Sequence, residues 1–319
     1  MPNRFGFEGQ MGWSGSDEAV FGTAATINRF LEAANYEVEL GDQIIVSPGI
    51  HGARVQLATS TKQGRRVVNY RAAFDYYYEG AGQWFRHALG SSSSTNITGS
   101  VWHHTFSRKD VLPVGLTTEF EVPPDFIKLT GSRVNELVWE CGNENAARVT
   151  AAGPAKDYTL AASGAAYSPP ASNILGVFHE GSITVDGIAK QWRNVRIRVS
   201  NDIQADDFRS GSRTIYAAEA RAHTVEGNVV FVADEAALLT KLRDFVVVNM
   251  NVKLTGPTIS GVHSYEWEAI MSDCTFNPAT RSISGPNDEA LVELDFMARK
   301  ATAEPVIIRM KNTQSAASL

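Results

Sequence analysis

Short segments in which apolar and polar residues alternate recur along the whole chain, and a β-strand with one buried face is the element with that period. In the first half they are Tyr36-Glu-Val-Glu-Leu40, Gly52-Ala-Arg-Val-Gln-Leu-Ala58, Val67–Phe74, Thr118-Glu-Phe-Glu-Val122 and Val134-Asn-Glu-Leu-Val-Trp-Glu-Cys141. In the second they are Asn194-Val-Arg-Ile-Arg-Val199, Ile215–Arg221, His223–Val232, Val246–Leu254, Tyr265–Met271 and Ala290–Met297. Helical spacing is confined to two short stretches. Glu79–Leu89 puts Trp84, Phe85, Ala88 and Leu89 on one face, and Gly90 is placed to end that helix. Asp234–Arg243 is amphipathic and carries its acids in the first turn, where the helix dipole favours them. The chain reads as mostly β.

The order of these segments repeats. Each half runs strand, Gly-x-Arg, strand pair, short helix, then two or three strands. Gly52-Ala-Arg54 is matched by Gly211-Ser-Arg213, Leu129-Thr-Gly131 by Leu254-Thr-Gly256, and Trp139-Glu140 before Cys141 by Trp267-Glu268 before Cys274. A shared order points to an internal duplication of a β unit. The expected organisation is an N-terminal arm (1–27), a first β unit (28–150), a linker (151–176), a second β unit (177–301) and a C-terminal tail (302–319). The linker reading rests on Ala161–Pro170, whose Ala, Ser, Gly and Pro residues bury little. The polar stretch Thr59–Arg66 reads as the long exposed tip of a β-hairpin, and Ser91–Ser94 as a loop. The arm carries Phe5, Phe7, Trp13 and Phe21 among five glycines. So many aromatics suit a segment that docks them on a neighbour better than a solvated terminus.

Length and charge narrow the functional classes. The 319 residues leave room for about two domains. The net charge of −6 opposes a free-standing nucleic-acid binder, whose affinity comes mostly from neutralising phosphates. Two cysteines, Cys141 and Cys274, do not make a disulfide scaffold. Near-apolar runs such as Phe245–Leu254 are too short and too polar to span a bilayer, and Met1–Glu8 has no signal-peptide stretch. A soluble protein made in a reducing compartment is the expectation, with no membrane contact.

Chemistry-bearing patterns are sparse. His103-His104 is the only histidine pair; neighbouring strand residues face opposite ways, so surface histidines are expected rather than metal ligands. The cysteines lie in no C-x-x-C pattern and read as small core residues. Gly80-Ala-Gly82 lacks the third glycine of a dinucleotide fingerprint, Phe85 standing in its place, and reads as a helix start. Asp206-Asp207 reads as a loop charge pair, and Asn96-Ile-Thr98 carries no weight as a glycosylation acceptor without a secretory signal. No catalytic residue, metal site or cofactor is expected, and the chain reads as no enzyme.

Two β units leave sheet edges, and an exposed edge must be blocked or paired. Pairing with identical copies closes a ring and removes the edges. Lys62, Gln63, Gly64, Arg65 and Arg66 at the hairpin tip, and Phe5, Phe7, Trp13 and Phe21 in the arm, are then natural contacts to the next copy or layer.

In order along the chain, Phe21-Gly-Thr23, Gly52-Ala-Arg54, Tyr78–Trp84 leading to Ala88-Leu-Gly90, Thr130–Leu137 and Val195–Asp202 make the sequence resemble the tail tube proteins of long-tailed bacteriophages, in a larger, duplicated-looking branch. The resemblance covers nearly the whole length, apart from the Ala/Ser/Pro segment near 151–172. It implies two tandem β-sandwich or barrel-like units, each with a short α-helix, that join around a ring into a β-barrel. It further implies rings that stack into a hollow virion tube assembled in the bacterial host cytoplasm, a trimeric ring with pseudo-sixfold symmetry or else a hexamer. A tape-measure protein inside, tail-terminator and baseplate proteins at the ends, and DNA passing without sequence-specific binding are the implied partners. The net negative charge agrees with a bore that does not hold DNA. A carbohydrate-binding or adhesion module of the virion is the alternative, with Tyr76 and Tyr78 as its nearest aromatic pair. A sheath or capsid protein fits less well, because neither helix candidate is long enough.

Overall fold

Backbone pairing in a computed structural model defines the architecture for residues 9–47, 61–170, 173–232, 240–241, 243–282, 291–300, 302–316 and 319. The first half opens with β1 (Met11–Ser14) and β2 (Ile27–Leu31), then the long antiparallel pair β3 (Ala33–Val46) and β4 (Thr61–Asp75). After α1 (Gly82–Leu89) come the hairpin β5 (Gly90–Thr98) and β6 (Val101–Arg108), then β7 (Leu116–Val122) and β8 (Asp125–Ser132). β9 (Glu136–Gly142), β10 (Arg148–Ala155) and β11 (Asp157–Ala161) close this half. The second half runs through β12 (Gly181–Val185), β13 (Ile188–Lys190), β14 (Trp192–Ser200), the small hairpin β15 (Ile203–Phe208) and β16 (Ile215–Ala220), and β17 (Thr224–Val232). It ends with β18 (Val248–Ser260), β19 (His263–Ser282), β20 (Leu291–Ala298) and β21 (Val306–Asn312).

The pairing order shows the duplication. In the first half β11-β8-β7-β1-β2 form a five-stranded sheet. In the second, β21, the N-terminal part of β19, β18, β12 and β13 pair in the same order. The other layer runs β3-β4-β10-β9 in the first half and β14-β17-β20 plus the C-terminal part of β19 in the second. β9 pairs with β14, so these two blocks form one continuous eight-strand sheet. Each layer of this kind stacks on its five-stranded partner. In the first half Tyr36 and Tyr70 of the large sheet meet Phe120 of β7 at 5.4 and 6.1 Å. The hairpin β5–β6 has no equivalent in the second half among the described residues. It adds to the edge of β21, so the first half lends two strands to the second.

The alternation in the sequence becomes burial. Val195, Ile197 and Val199 of β14, and Val292, Leu294, Phe296 and Ala298 of β20, are buried while their neighbours face outward. Burying each large apolar side chain contributes about 1.5–3 kcal/mol. Helix α1 starts and stops as its residues predict: Gly90 takes φ 104°, which favours glycine, and donates its N–H to the Arg86 carbonyl. Trp84 and Phe85 fill the space between the layers, Trp84 meeting Trp13 at 5.5 Å and Phe74 at 6.0 Å.

The chain is mostly β, as expected, and within one chain its sheets do not close into a barrel. Several finer expectations are corrected. Ser91–Ser94 belong to β5, not a loop; an edge strand bonded only to β6 needs no apolar side chains to hold its place. Residues 148–161, assigned in part to a linker, form β10 and β11: Ala151 pairs with both β4 and β9 and Gly153 with β4, without needing bulk. Residues 306–312, assigned to a tail, form β21 between β19 and β6, with Val306, Ile308 and Met310 buried in alternation. Most of the second expected helix, Asp234–Arg243, and the strand Gly52–Ala58 lie outside the described residues.

Candidate assembly surface

One face of the eight-strand sheet belongs to the core. The other is polar, and no layer covers it among the described residues. The register aligns Asp75, Arg148, Glu140, Arg196, Asn228 and Asp295 in a row across six strands. Opposite charges alternate along most of that row, and cross-strand pairs of this kind support the register. Arg148 donates to Asp75 at 3.2 Å. One step along, Arg198 donates to Glu136 and to Glu226, both at 2.5 Å, which raises the guanidinium pKa further. Asn228 donates to Glu293 and Asp295, each at 2.9 Å. On β3 the same face carries Glu37 opposite Arg71 and Glu39 opposite Asn69. Carboxylates outnumber guanidiniums on this surface.

The sheet ends in two edges with no partner among the described residues. One is β3, which pairs only with β4. The other is the C-terminal part of β19, which beyond Cys274 pairs only with β20. β3 exposes apolar side chains along its length, Ile44 at 67% and Ile45 at 51%.

The expected contact loop is placed differently. Lys62, Gln63, Gly64, Arg65 and Arg66 lie in strand β4, paired with β3, rather than in a loop tip. Both faces of this part of the hairpin are largely exposed, so the polar sequence carried no period from which a strand could be read. The Gly-x-Arg residue Arg213, between β15 and β16, holds the segment. It donates to the Gly64 carbonyl at 2.8 Å, to Gln63 at 2.7 Å and to Asp42 at 3.2 Å. Arg66 bridges Asp42 at 2.9 Å and Asp157 at 2.6 Å, and its guanidinium lies 4.6 Å from the Tyr158 ring. The hydrogen bond from Arg66 holds the Asp42 carboxyl below its ordinary range. Lys62, Gln63 and Arg65 remain exposed.

The two described arm aromatics, Trp13 and Phe21, are used within the chain. Trp13 lies in β1, between β2 and β7, fully buried against Trp84. Phe21 sits between Arg133 and Lys156, whose cationic groups are 5.4 and 5.3 Å from its ring. Glu18 fastens this segment by accepting from Gly22, Thr117 and Gly131 at 2.7–2.8 Å. Met11 and Trp13 both face the core, and docking on a neighbour is not open to Trp13. Phe5 and Phe7 lie outside the described residues.

Other candidates resolve as structure. His104 is buried, not a surface residue: it contacts Ser94 at 2.7 Å, Asn312 at 3.1 Å and the Gln314 carbonyl at 2.9 Å. The strand pairs β5–β6 and β6–β21 bring those partners together, and sequence could not show it. Burial lowers the His104 pKa. Cys141 and Cys274 are buried thiols, and burial pushes both up to about 12. Tyr76 and Tyr78 are fully buried, 5.6 Å apart, so they form no exposed carbohydrate platform. Gly82 begins α1, and Asp207 pairs with Arg209 at 3.1 Å. Among the described residues no three His, Cys, Asp or Glu side chains gather to hold a metal, and no helix is long and apolar enough to cross a membrane.

The polar row itself was missed by sequence reading, although Arg196-Ile-Arg198 and Glu37-Val-Glu39 display it as charge at every second residue. The family model described as phage tail tube protein matches residues 9–298, from just before β1 to the last residue of β20. Comparison with curated proteins finds no match.

Proposed function

The chain belongs to the phage tail tube protein family, and on that premise we propose that three copies close into a pseudo-sixfold ring, and that rings stack into the hollow tube through which phage DNA reaches the host. The family makes the protein a structural tail component that assembles with itself. The observation that supports the finer reading is the eight-strand sheet with one bare polar face and two open edges. A sheet exposing unpaired N–H and C=O groups on both borders is a template for its own copies, and closure into a ring satisfies them. The polar face then lines the bore.

DNA carries about one negative charge per 1.7 Å of helix axis, and binding to a basic wall would be driven by counterion release. The carboxylate excess on the polar face opposes that. Two of its arginines, Arg148 and Arg198, are tied into cross-strand pairs with Asp75, Glu136 and Glu226. DNA therefore passes without being held. The distal part of the β3–β4 hairpin, with exposed Lys62, Gln63 and Arg65, supplies contacts to the next ring. A tape-measure protein within the bore and terminator and baseplate proteins at its ends complete the assembly, which takes place in the host cytoplasm.

Negative-stain electron microscopy of the purified protein tests this reading. Rings or tubes with a central channel are expected. A population of single chains at high protein concentration overturns it.

A further inference from the structure

The two halves repeat in detail, and the repeat includes an irregularity. In the first half β3 meets β4 with Ala33 opposite Phe74, but Asn35 opposite Ala73, so one residue of β3 is extra. In the second half β14 meets β17 with Trp192 opposite Phe231, but Asn194 opposite Val230. The same bulge at the same place aligns the two blocks residue for residue, since a β-bulge pins register. Asn35 corresponds to Asn194, Glu37 to Arg196, and Glu39 to Arg198. Carried across β10 and β20, which pair with β4 and β17, the alignment makes Val138 of β9 correspond to Thr280 of β19.

One seam between equivalent blocks is visible inside the chain. There β9 lies antiparallel to β14, with Glu140 opposite Arg196 and Val138 opposite Arg198. The block order runs the same way in both halves, so the step from the first block to the second is the step that must recur from the second block to the next copy's first. The edges required for it, the C-terminal part of β19 and β3, are the two left without partners among the described residues.

We infer that the seam within the chain is the template for the seam between chains: β19 of one copy pairs antiparallel with β3 of the next, with Thr280 opposite Glu39 and Ser282 opposite Glu37. The occupant of each edge is a second copy of this chain. This rests on the tube reading and adds the strands, their direction and their register. The seams differ in charge. Within the chain, Arg198 ties β14 to Glu136 across the junction at 2.5 Å. Between chains Glu39 and Glu37 stand where Arg198 and Arg196 stand within the chain, facing Thr280 and Ser282, so the arginine tie is absent and the inter-copy seam is held by backbone bonds and apolar contacts. The permanent junction carries the Arg198–Glu136 ion pair, and the junction that must form during assembly has an acidic residue at the arginine's place.

Cysteine crosslinking on the full chain tests the register. The double variant Thr280→Cys with Glu39→Cys places two thiols directly opposite across the proposed seam, at a Cα separation that a disulfide can bridge. Both positions are exposed, and the native Cys141 and Cys274 are buried. The expected result is reductant-sensitive crosslinked chains closing at a trimer in non-reducing electrophoresis. Each single variant, and the pair Thr280→Cys with Val38→Cys, which faces opposite sides of the sheet, should give at least tenfold less. Rings in the micrographs with no crosslink, or with equal crosslinking of the Val38 pair, overturn the register while leaving the ring intact. Absence of rings together with absence of crosslinks overturns both the seam and the tube reading.

Discussion

Trp139 and Trp267 stack face to face, their ring centroids 3.9 Å apart and their planes within 15°. Trp139 belongs to β9 in the first half and Trp267 to the N-terminal part of β19 in the second, so the pair joins the two halves through the core. Each is followed by a glutamate and precedes a cysteine, which makes them look like copies of one position. The pairing order denies this: β9 corresponds to the C-terminal part of β19, beyond Trp267. They are partners, not equivalents.

Replacing either tryptophan by alanine should therefore cost about 3–5 kcal/mol in denaturant unfolding, the range for a large aromatic removed from a packed core. A double-mutant cycle on Trp139→Ala and Trp267→Ala should give a coupling of about 0.5–1.5 kcal/mol. A coupling of zero would mean that the stack does not hold the halves together.

Gly227 in β17 lies where its neighbours close in. A methyl group there would overlap the Arg196 carbonyl oxygen and would also meet the Phe296 ring. Gly227→Ala should destabilise the chain by about 1–3 kcal/mol through overpacking, read as a lower unfolding midpoint. Gly187→Ala is the comparison for backbone strain without crowding, since no atom lies near its added methyl.

Acid should weaken the fold before the carboxylates titrate. Burial lowers the pKa of His87 and His104, and burial with the nearby Arg108 lowers His223 to about 4 while Glu304 opposes. A histidine whose folded pKa lies below its unfolded value near 6.5 takes up its proton more readily when unfolded. Its contribution to stability is complete above about pH 7 and is lost as the pH falls from about 6.5 toward 4. The melting temperature should drop across that window, and less so in His223→Gln. A flat profile from pH 7 to pH 5 would contradict the assignment.

Charge reversal on the polar face should make the tube retain DNA. Asp295→Arg combined with Glu293→Arg adds cations to the proposed bore without removing an arginine partner. Assembled variant tubes should bind linear DNA at low salt and release it as salt rises, with log affinity falling by about 0.9 per phosphate contacted for each tenfold rise in salt. Salt-independent behaviour equal to the natural protein would place this face away from the DNA path.

Much of the fold is legible in the residues. The β18 and β14–β17–β20 strands follow alternation that only a half-buried sheet requires, and α1 ends at the glycine that permits a positive φ. The order of elements revealed two related units. Errors fell where side chains do not report on pairing. Lys62–Arg66 and Ser91–Ser94 are strands exposed on both faces, so backbone bonds hold them and no apolar period marks them. The C-terminal part of β10 falls in the stretch 151–176 read as a linker, because Ala151, Ala152 and Gly153 pack closely and show no apolar period. The alternation in Val306–Asn312 was present but lay in a segment assigned to a tail.

The sequence alone determined the local choices: which residues face inward, where the helix stops, and that a β unit occurs twice. Those choices rest on side-chain period and backbone steric limits, both of which act within a few residues. Tertiary structure decided that β9 meets β14, that β21 threads between β19 and β6, and that β3 and the end of β19 are left as borders. Pairing of distant strands is selected by the total fit of register, twist and core volume, and no short stretch of residues encodes that sum.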